Sequence, residues 1–143
     1  MAIVYFDASA LVKLVLDEAD SAIAAELWNA CDAAVSSRLA YPEVCAALAA
    51  VGRRHQVTEA EMIAAAQEWE AFWAWVRPVE LSAEVGRSAG DMAARHRLRG
   101  ADAVHLASAL ALGSADVVVA VWDTRLHAGT VAAGLAVAPA TLP

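Results

Sequence analysis

The sequence predicts an α/β fold: a mostly parallel central sheet of four to five strands with helices on both sides. Short apolar runs alternate along the chain with longer segments of helical periodicity, and such alternation is typical of right-handed βαβ units. The run from Val117 to Trp122 is continuously apolar, which is typical of a strand buried on both faces. Alanine supplies 38 of the 143 residues and favours helices, because ordering alanine costs no side-chain entropy.

The predicted strands are short apolar runs bounded by polar or turn-forming residues. They are Ala2–Phe6, Ala33–Ser37, Val76–Leu81, Val117–Trp122 and Leu135–Ala138. Pro78 lies in the third run although proline cannot donate a ladder hydrogen bond. Asp116 precedes the fourth run and is expected to be a loop residue that starts the strand.

The predicted helices carry apolar residues at intervals of three and four. They are a segment through Leu11 and Val15, a segment through Ile23 and Trp28, and residues 38–55, 58–75, 82–97, 101–112 and 125–133. Thr58 and Glu61 have the spacing of a capping box, in which each side chain satisfies a free backbone donor of the other residue. Pro42 belongs in a first turn, so Glu43 is expected near a helix start.

Composition predicts one domain over residues 1–143 and restricts its function. The formal net charge of −7 argues against a protein that holds nucleic acid by bulk electrostatics. The charge is uneven, because residues 1–76 carry 4 basic and 11 acidic groups, whereas residues 77–143 carry 6 of each. The two cysteines are too few for a disulfide framework and lack zinc-binding spacing.

The sequence also predicts a cytoplasmic protein without membrane association. A transmembrane helix needs about 18 or more consecutive apolar residues, and the chain has no such stretch. No cationic segment precedes the first apolar run, so a secretory signal is not expected.

Four acidic residues stand where a site is expected. Asp7 and Asp123 directly follow predicted strands, and ligands of parallel sheets bind at the carboxyl ends of strands. Glu43 and Asp102 lie near helix starts in apolar surroundings. Each acid alone is explained equally well as a helix cap or a solvated first-turn residue, but all four together favour a shared site.

Converging carboxylates would repel one another unless cations occupied the site. Oxygen ligands without thiolates favour Mg²⁺ or Mn²⁺ over zinc. Such ions can activate water and stabilise the leaving oxygen of a phosphodiester. The four acids therefore predict metal-assisted phosphodiester hydrolysis.

Four segments of the chain together resemble PIN-domain ribonucleases of the VapC toxin type. They are Tyr5–Leu14, Tyr41–Val44, Asp102–Ala109 and Trp122–Leu126. The resemblance follows the family order over the whole chain. It implies a PIN fold and a Mg²⁺-dependent endoribonuclease, with Mn²⁺ as an alternative ion, whose partners are its RNA substrate, a cognate antitoxin and a second copy of the chain in a homodimer.

The same resemblance assigns roles to individual residues. Asp7, Glu43, Asp102 and Asp123 correspond to the catalytic and metal-binding acids. Ser9 corresponds to a hydroxyl that supports the first acid or its water. Val121 stands where many relatives have Thr or Ser, which puts a hydroxyl contact at that edge in doubt.

Basic residues beside Asp102 have two compatible interpretations. Arg95, Arg97 and Arg99 either hold RNA phosphates on either side of the scissile bond or are cations favoured by the dipole at a helix C-terminus. His105 lies three residues after Asp102. It is expected to be packed or solvated and to take no part in the site.

An aromatic stripe also has two interpretations. Trp69, Phe72 and Trp73 recur at helical spacing with Val76. The stripe is either core packing or a groove or subunit interface, which would suit an apolar antitoxin segment.

Three other functions compete with a nuclease. An aspartate-based phosphatase of the haloacid-dehalogenase type requires a second Asp two residues after the nucleophile, but Ser9 occupies that position. A receiver domain requires a late lysine, whereas Lys13 is the only lysine. A catalytically silent PIN-fold binding module is weakened by the presence of all four acids.

Overall fold

The computed structural model describes all residues from Met1 to Pro143. Its strands are β1 Ile3–Phe6, β2 Ala33–Ser37, β3 Val76–Val79, β4 Val117–Ala120 and β5 Ala136–Ala138. Its helices are α1 Ala8–Val15, α2 Ser21–Ala30, α3 Ala40–Arg54, α4 Glu59–Trp73, α5 Ala83–His96, α6 Gly100–Leu110 and α7 Thr124–Ala132.

The five strands form one sheet in the order β3-β2-β1-β4-β5, and every neighbouring pair is parallel. This arrangement confirms the predicted α/β fold. The chain builds outwards from β1 to β2 and β3, and then crosses to the other side of β1 for β4 and β5. The order therefore reverses between β1 and β4, which is the position where open parallel sheets bind ligands.

Helices cover both faces of the sheet, as predicted. Successive side chains of a strand point to opposite faces, so Tyr5 belongs to one apolar cluster and Phe6 to another. The Tyr5 cluster includes Leu106 of α6 and Leu126 of α7. The Phe6 cluster includes residues of α1, α3 and α4, among them the fully buried Trp69. Two cores, one on each face, thus hold β1 at the centre of the molecule.

Two strands end earlier than predicted. The fourth strand ends at Ala120 and not at Trp122, and the backbone N–H of Trp122 donates to Ser9 Oγ at 3.0 Å in place of a neighbouring strand. The third strand ends at Val79, and Pro78 is tolerated there because β3 is an edge strand that pairs only with β2.

The aromatic stripe is mainly core. Trp69 is 1% exposed and packs against Tyr41 and Trp73. Phe72 and Trp73 are half-buried. Trp75, which lies off the stripe, is 78% exposed. None of the helices combines the length and the hydropathy that crossing a bilayer requires.

The start of α4 shows the Thr58 half of the predicted capping box, while the Glu61 side chain contacts the Thr58 hydroxyl and not its backbone N–H. Thr58 Oγ1 accepts a hydrogen bond from the Glu61 N–H at 3.1 Å and donates to Glu61 Oε1 at 3.0 Å. We expect Thr58→Ala to lower the free energy of unfolding by about 1 kcal/mol, because a backbone donor loses its partner. Urea denaturation measures this loss. Thr58→Ser keeps the hydroxyl, so a Ser variant as unstable as the Ala variant would show that the methyl group matters and the cap does not.

Candidate active site

The four predicted acids all lie at the start of a helix. Asp7 and Asp123 are the N-caps of α1 and α7, and Glu43 and Asp102 lie in the first turns of α3 and α6. Asp7 follows β1 and Asp123 follows β4, so both stand where the strand order reverses. Helix N-termini favour negative charge because their free N–H groups point outwards. Asp7 and Asp123 therefore cap their helices, and Glu43 and Asp102 lie where a helix start favours negative charge.

Asp7 is held from one side only. Its Oδ1 accepts hydrogen bonds from Ser9 Oγ at 2.6 Å and from the Ala10 N–H at 3.0 Å. Its Oδ2 accepts none within the chain and is not fully enclosed by protein atoms. Burial raises the pKa of Asp7 to about 6, with a small contribution from the charge of Asp123, against the lowering effects of His105 and Ser9. The site therefore contains a buried carboxylate with one oxygen unused.

Ser9 joins the ends of the two central strands. Its hydroxyl donates to Asp7 and accepts a hydrogen bond from the Trp122 N–H at 3.0 Å. The structure thus places Ser9 beside the first acid, as the sequence predicts. Val121 is buried, and the segment after β4 reaches this hydroxyl through the backbone of the next residue. A hydroxyl at position 121 is not needed for that contact.

Asp102 is coupled electrostatically to the other acids. It is half-buried, and burial raises its pKa together with the negative charges of Asp123 and Glu43. The positive charges of His105 and Arg99 act in the opposite direction. Asp123 is more exposed, and its Oδ1 accepts from the Leu126 N–H at 2.8 Å. The four carboxyl groups thus lie within one electrostatic environment at the edge of the sheet.

His105 is buried, in line with the expected packing, but it also contacts one of the four acids, which was not expected. Its Nε2 donates to Glu43 Oε1 at 2.6 Å, and its Nδ1 lies 2.7 Å from the Tyr5 hydroxyl. Burial favours the neutral ring, but the hydrogen bond to Glu43 and the charges of Asp7, Glu43 and Asp102 outweigh it and raise the pKa of His105. The spacing of three residues from Asp102 was the available sequence signal, because it places both side chains on one helix face.

The acids offer the right donors for a hard cation but do not form a closed cage. No three His, Cys, Asp or Glu side chains are arranged as a group that could hold a metal ion. Mg²⁺ commonly binds one or two carboxylates and keeps several of its waters. The unused Oδ2 of Asp7 and the mutual repulsion that raises the pKa of Asp102 fit such an ion.

The three arginines of the basic cluster occupy different places. Arg99 is the N-cap residue of α6, and its charge acts on Asp102. Arg97 ends α5 in a left-handed conformation with a φ of 54°. Arg95 is exposed in the last turn of α5. None of the three forms an ion pair.

Comparison with known proteins agrees with this fold. Residues 4–128 match the PIN domain, and the chain belongs to the PIN domain family. It is 63% identical over 142 residues to two ribonucleases of Mycobacterium tuberculosis, VapC45 of strain CDC 1551 / Oshkosh and VapC49 of strain H37Rv, with 99% of each chain covered. It thus belongs to the VapC ribonucleases within that family.

Two solved structures share the fold. One is M. tuberculosis VapC20, a toxin that cleaves the sarcin-ricin loop, with a TM-score of 0.67 at 20% identity, covering 98% of this chain and 99% of that one. The other is a toxin–antitoxin complex from Klebsiella pneumoniae, with a TM-score of 0.67 at 18% identity, covering 100% of both chains.

The charge crowding at Asp102 gives a stability prediction for the protein in excess chelator. The folded state raises the pKa of this carboxyl above its unfolded value, so its ionisation opposes folding. That cost is absent below the unfolded pKa and complete above the folded pKa. We expect Asp102→Asn to leave Tm unchanged or to raise it at about pH 8, and to bring less benefit at about pH 4. Differential scanning calorimetry in EDTA measures both. A large loss of Tm at the higher pH would instead make Asp102 a structural cap.

Proposed function

We propose that the protein is a Mg²⁺-dependent endoribonuclease that hydrolyses RNA phosphodiester bonds and acts as the toxin of a type II toxin–antitoxin module. The observation that supports the proposal is the buried Asp7 carboxylate near Asp123 where the strand order reverses, with the charges of Asp123 and Glu43 acting on Asp102. Membership of the VapC ribonucleases supports it, and the proposal takes residues 1–143 as one PIN domain that acts in the cytoplasm.

The four acids would hold the metal, which would supply activation of a water and stabilisation of the leaving oxygen. Ser9 keeps Oδ1 of Asp7 occupied, so that Oδ2 faces the site in a fixed direction. Asp123 is positioned by its bond to the Leu126 N–H. These contacts fix the carboxylates before RNA arrives, which reduces the ordering needed in the reaction.

His105 is a positioning residue in this proposal. Its Nε2 proton is donated to Glu43, and its other nitrogen is fixed by Tyr5. Burial keeps the pKa of the Tyr5 hydroxyl far above its ordinary value, so this hydroxyl stays protonated. The hydrogen bonds from Tyr5 to His105 and from His105 to Glu43 thus anchor the Glu43 carboxylate to the core of the molecule.

The phosphatase alternative is disfavoured by the contacts of Ser9. An aspartyl nucleophile needs an acid two residues later to protonate the leaving group. Ser9 stands at that position, and its proton is donated to Asp7 itself. We therefore expect no release of phosphate from small phosphate esters.

The central test is RNA cleavage by variants of the two acids with raised pKa. We expect Asp7→Asn and Asp102→Asn to reduce cleavage more than about a hundredfold, since the loss of a metal ligand costs several kcal/mol of transition-state stabilisation. Cleavage should stop in EDTA and return with Mg²⁺, and Mn²⁺ is the second ion to test. Labelled RNA resolved on denaturing gels gives the rates.

Asp116 provides the matched control for charge. It is an exposed acid beside β4, and Asp116→Asn should cleave like the wild type. Circular dichroism must show that the variants are folded. Cleavage by a purified Asp7→Asn/Asp102→Asn double variant at the wild-type rate would reject the nuclease assignment. A folded wild type that does not cleave RNA in Mg²⁺ would favour the alternative function, a catalytically silent binding module.

The proposal includes a homodimer and an antitoxin. A groove of about 440 Å³ between α1, α2 and α4 is lined by seven apolar residues, among them Leu14, Trp28 and Phe72, and by Lys13, Asp17, Ser21 and Asn29. Its apolar lining suits the apolar antitoxin segment that the VapC resemblance implies. The outer part of the aromatic stripe thus borders the groove, while Trp69 stays in the core.

The oligomeric state is directly measurable. We expect size-exclusion chromatography with light scattering to give a mass of twice the 14.9 kDa chain. A monomer mass over the whole measurable concentration range would contradict the homodimer and would leave the nuclease proposal intact.

A further inference from the structure

A second cleft lies between the end of α5 and α7. It has a volume of about 540 Å³ and is lined by three basic side chains, His96, Arg97 and Arg125. Its remaining lining consists of small residues, Ala128, Gly129 and Ala132. The lining of the cleft therefore combines basic side chains with residues that have small side chains or none.

Packing fixes the shape of this cleft. A Cβ atom at Gly129 would lie 3.3 Å from Leu98 Cδ1 and 3.5 Å from His96 Cβ, so the missing side chain lets α7 approach the end of α5. Arg97 ends α5 with positive φ, where an Arg side chain is uncommon. Leu98 then returns to the core, while Arg97 and Arg125 stay exposed on opposite sides of the cleft.

The positive charge of the cleft is not neutralised within the chain. The ion pairs of the structure are Lys13–Glu18, Arg38–Glu80 and His105–Glu43. None of them involves His96, Arg97 or Arg125. The whole acidic excess of the protein lies in residues 1–76, and the cleft is built from residues beyond that segment. It therefore offers unpaired guanidinium groups in a protein with a net charge of −7.

The two cleft arginines lie close along the chain to two of the four acids. Arg125 follows Asp123 by two residues in the first turn of α7. Arg97 precedes Arg99 by two residues, and Arg99 is the N-cap residue of the helix that carries Asp102. Both cleft arginines are thus connected through short segments to two of the four acids. A strand of RNA that is cut at the acids must continue past them and needs further contacts for its phosphates.

We propose that the cleft between α5 and α7 binds backbone phosphates of the RNA strand beyond the scissile bond, through Arg97 and Arg125. The inference rests on the proposed ribonuclease function and extends it to a substrate-binding subsite. A guanidinium group donates two parallel hydrogen bonds to phosphate oxygens and keeps its charge at every physiological pH. Such contacts are independent of base sequence and set the position of the strand.

An acidic peptide segment is the competing ligand. The observations favour RNA because Arg97 and Arg125 lie close along the chain to Asp102 and Asp123, whose negative charges disfavour an acidic peptide. An RNA substrate has to lie across these carboxylates in order to be cut. The test therefore includes both an RNA and an acidic peptide, polyglutamate.

The experiment measures binding of a 5′-fluorescein-labelled single-stranded RNA to the full chain by fluorescence anisotropy, in EDTA and over a series of NaCl concentrations. The test variant is Arg97→Asn/Arg125→Gln, because Asn tolerates the left-handed conformation at position 97. The matched control is Arg53→Gln/Arg87→Gln, which removes the same charge from exposed positions outside the cleft. The test and control variants must have equal Tm values. If the double test variant is unstable, the single variant Arg125→Gln replaces it.

We expect the test variant to bind about tenfold more weakly than the control variant. The slope of log K against log salt should fall in magnitude by about 0.7 for each phosphate that is no longer neutralised, or about 1.4 for both arginines. Equal affinities and equal slopes in test and control variants would overturn the proposal, and so would the absence of RNA binding by the wild type. Polyglutamate of the same length that binds as tightly as RNA, and is weakened equally in the test variant, would also overturn it.

Failure of this subsite and failure of the proposed function give different results. The binding assay contains no metal and requires no cleavage. A wild type that binds RNA through the cleft but does not cut it in Mg²⁺ contradicts the ribonuclease alone. A wild type that cuts RNA while test and control variants bind equally contradicts the subsite alone.

Discussion

Repulsion among four carboxylates is the constraint on which the arrangement of this molecule depends. The parallel sheet brings the starts of several helices to one edge, and an acid stands in the first turn or at the cap of α1, α3, α6 and α7. Each helix start offers partial positive charge to its own acid. His105 and Arg99 act in the opposite direction to the neighbouring acids and lower the pKa of Asp102. The fold thus holds like charges together without neutralising them.

This balance explains why a cap and a functional acid are difficult to distinguish in a sequence. Asp7 and Asp123 make the hydrogen bonds of ordinary N-caps, so local patterns identify them correctly as helix starts. Whether Asp7 and Asp123 can also share a functional site depends on β1 and β4 lying side by side. Alternation of strands and helices predicted the parallel sheet, and the parallel sheet in turn predicted a common edge.

Contacts between distant segments could not be predicted from the sequence. The hydrogen bond from His105 to Glu43 joins residues that are 62 positions apart, and no periodicity encodes the approach of α6 to α3. Beyond the end of β4, the Trp122 N–H donates to Ser9, 113 positions earlier in the chain. The cleft between α5 and α7 likewise needs the packing of Gly129 against Leu98. Element types were predictable from local pattern, whereas these partners required the folded chain.

The margins of the sheet determine how this protein can associate. At one margin, β3 carries Pro78, which has no N–H, beside the exposed charge of Arg77. At the other margin, β5 is only three residues long. Short or proline-containing outer strands are poor templates for the addition of a further strand. Association through continued pairing of backbones is therefore disfavoured at both ends, and a second molecule must approach the helical surfaces instead.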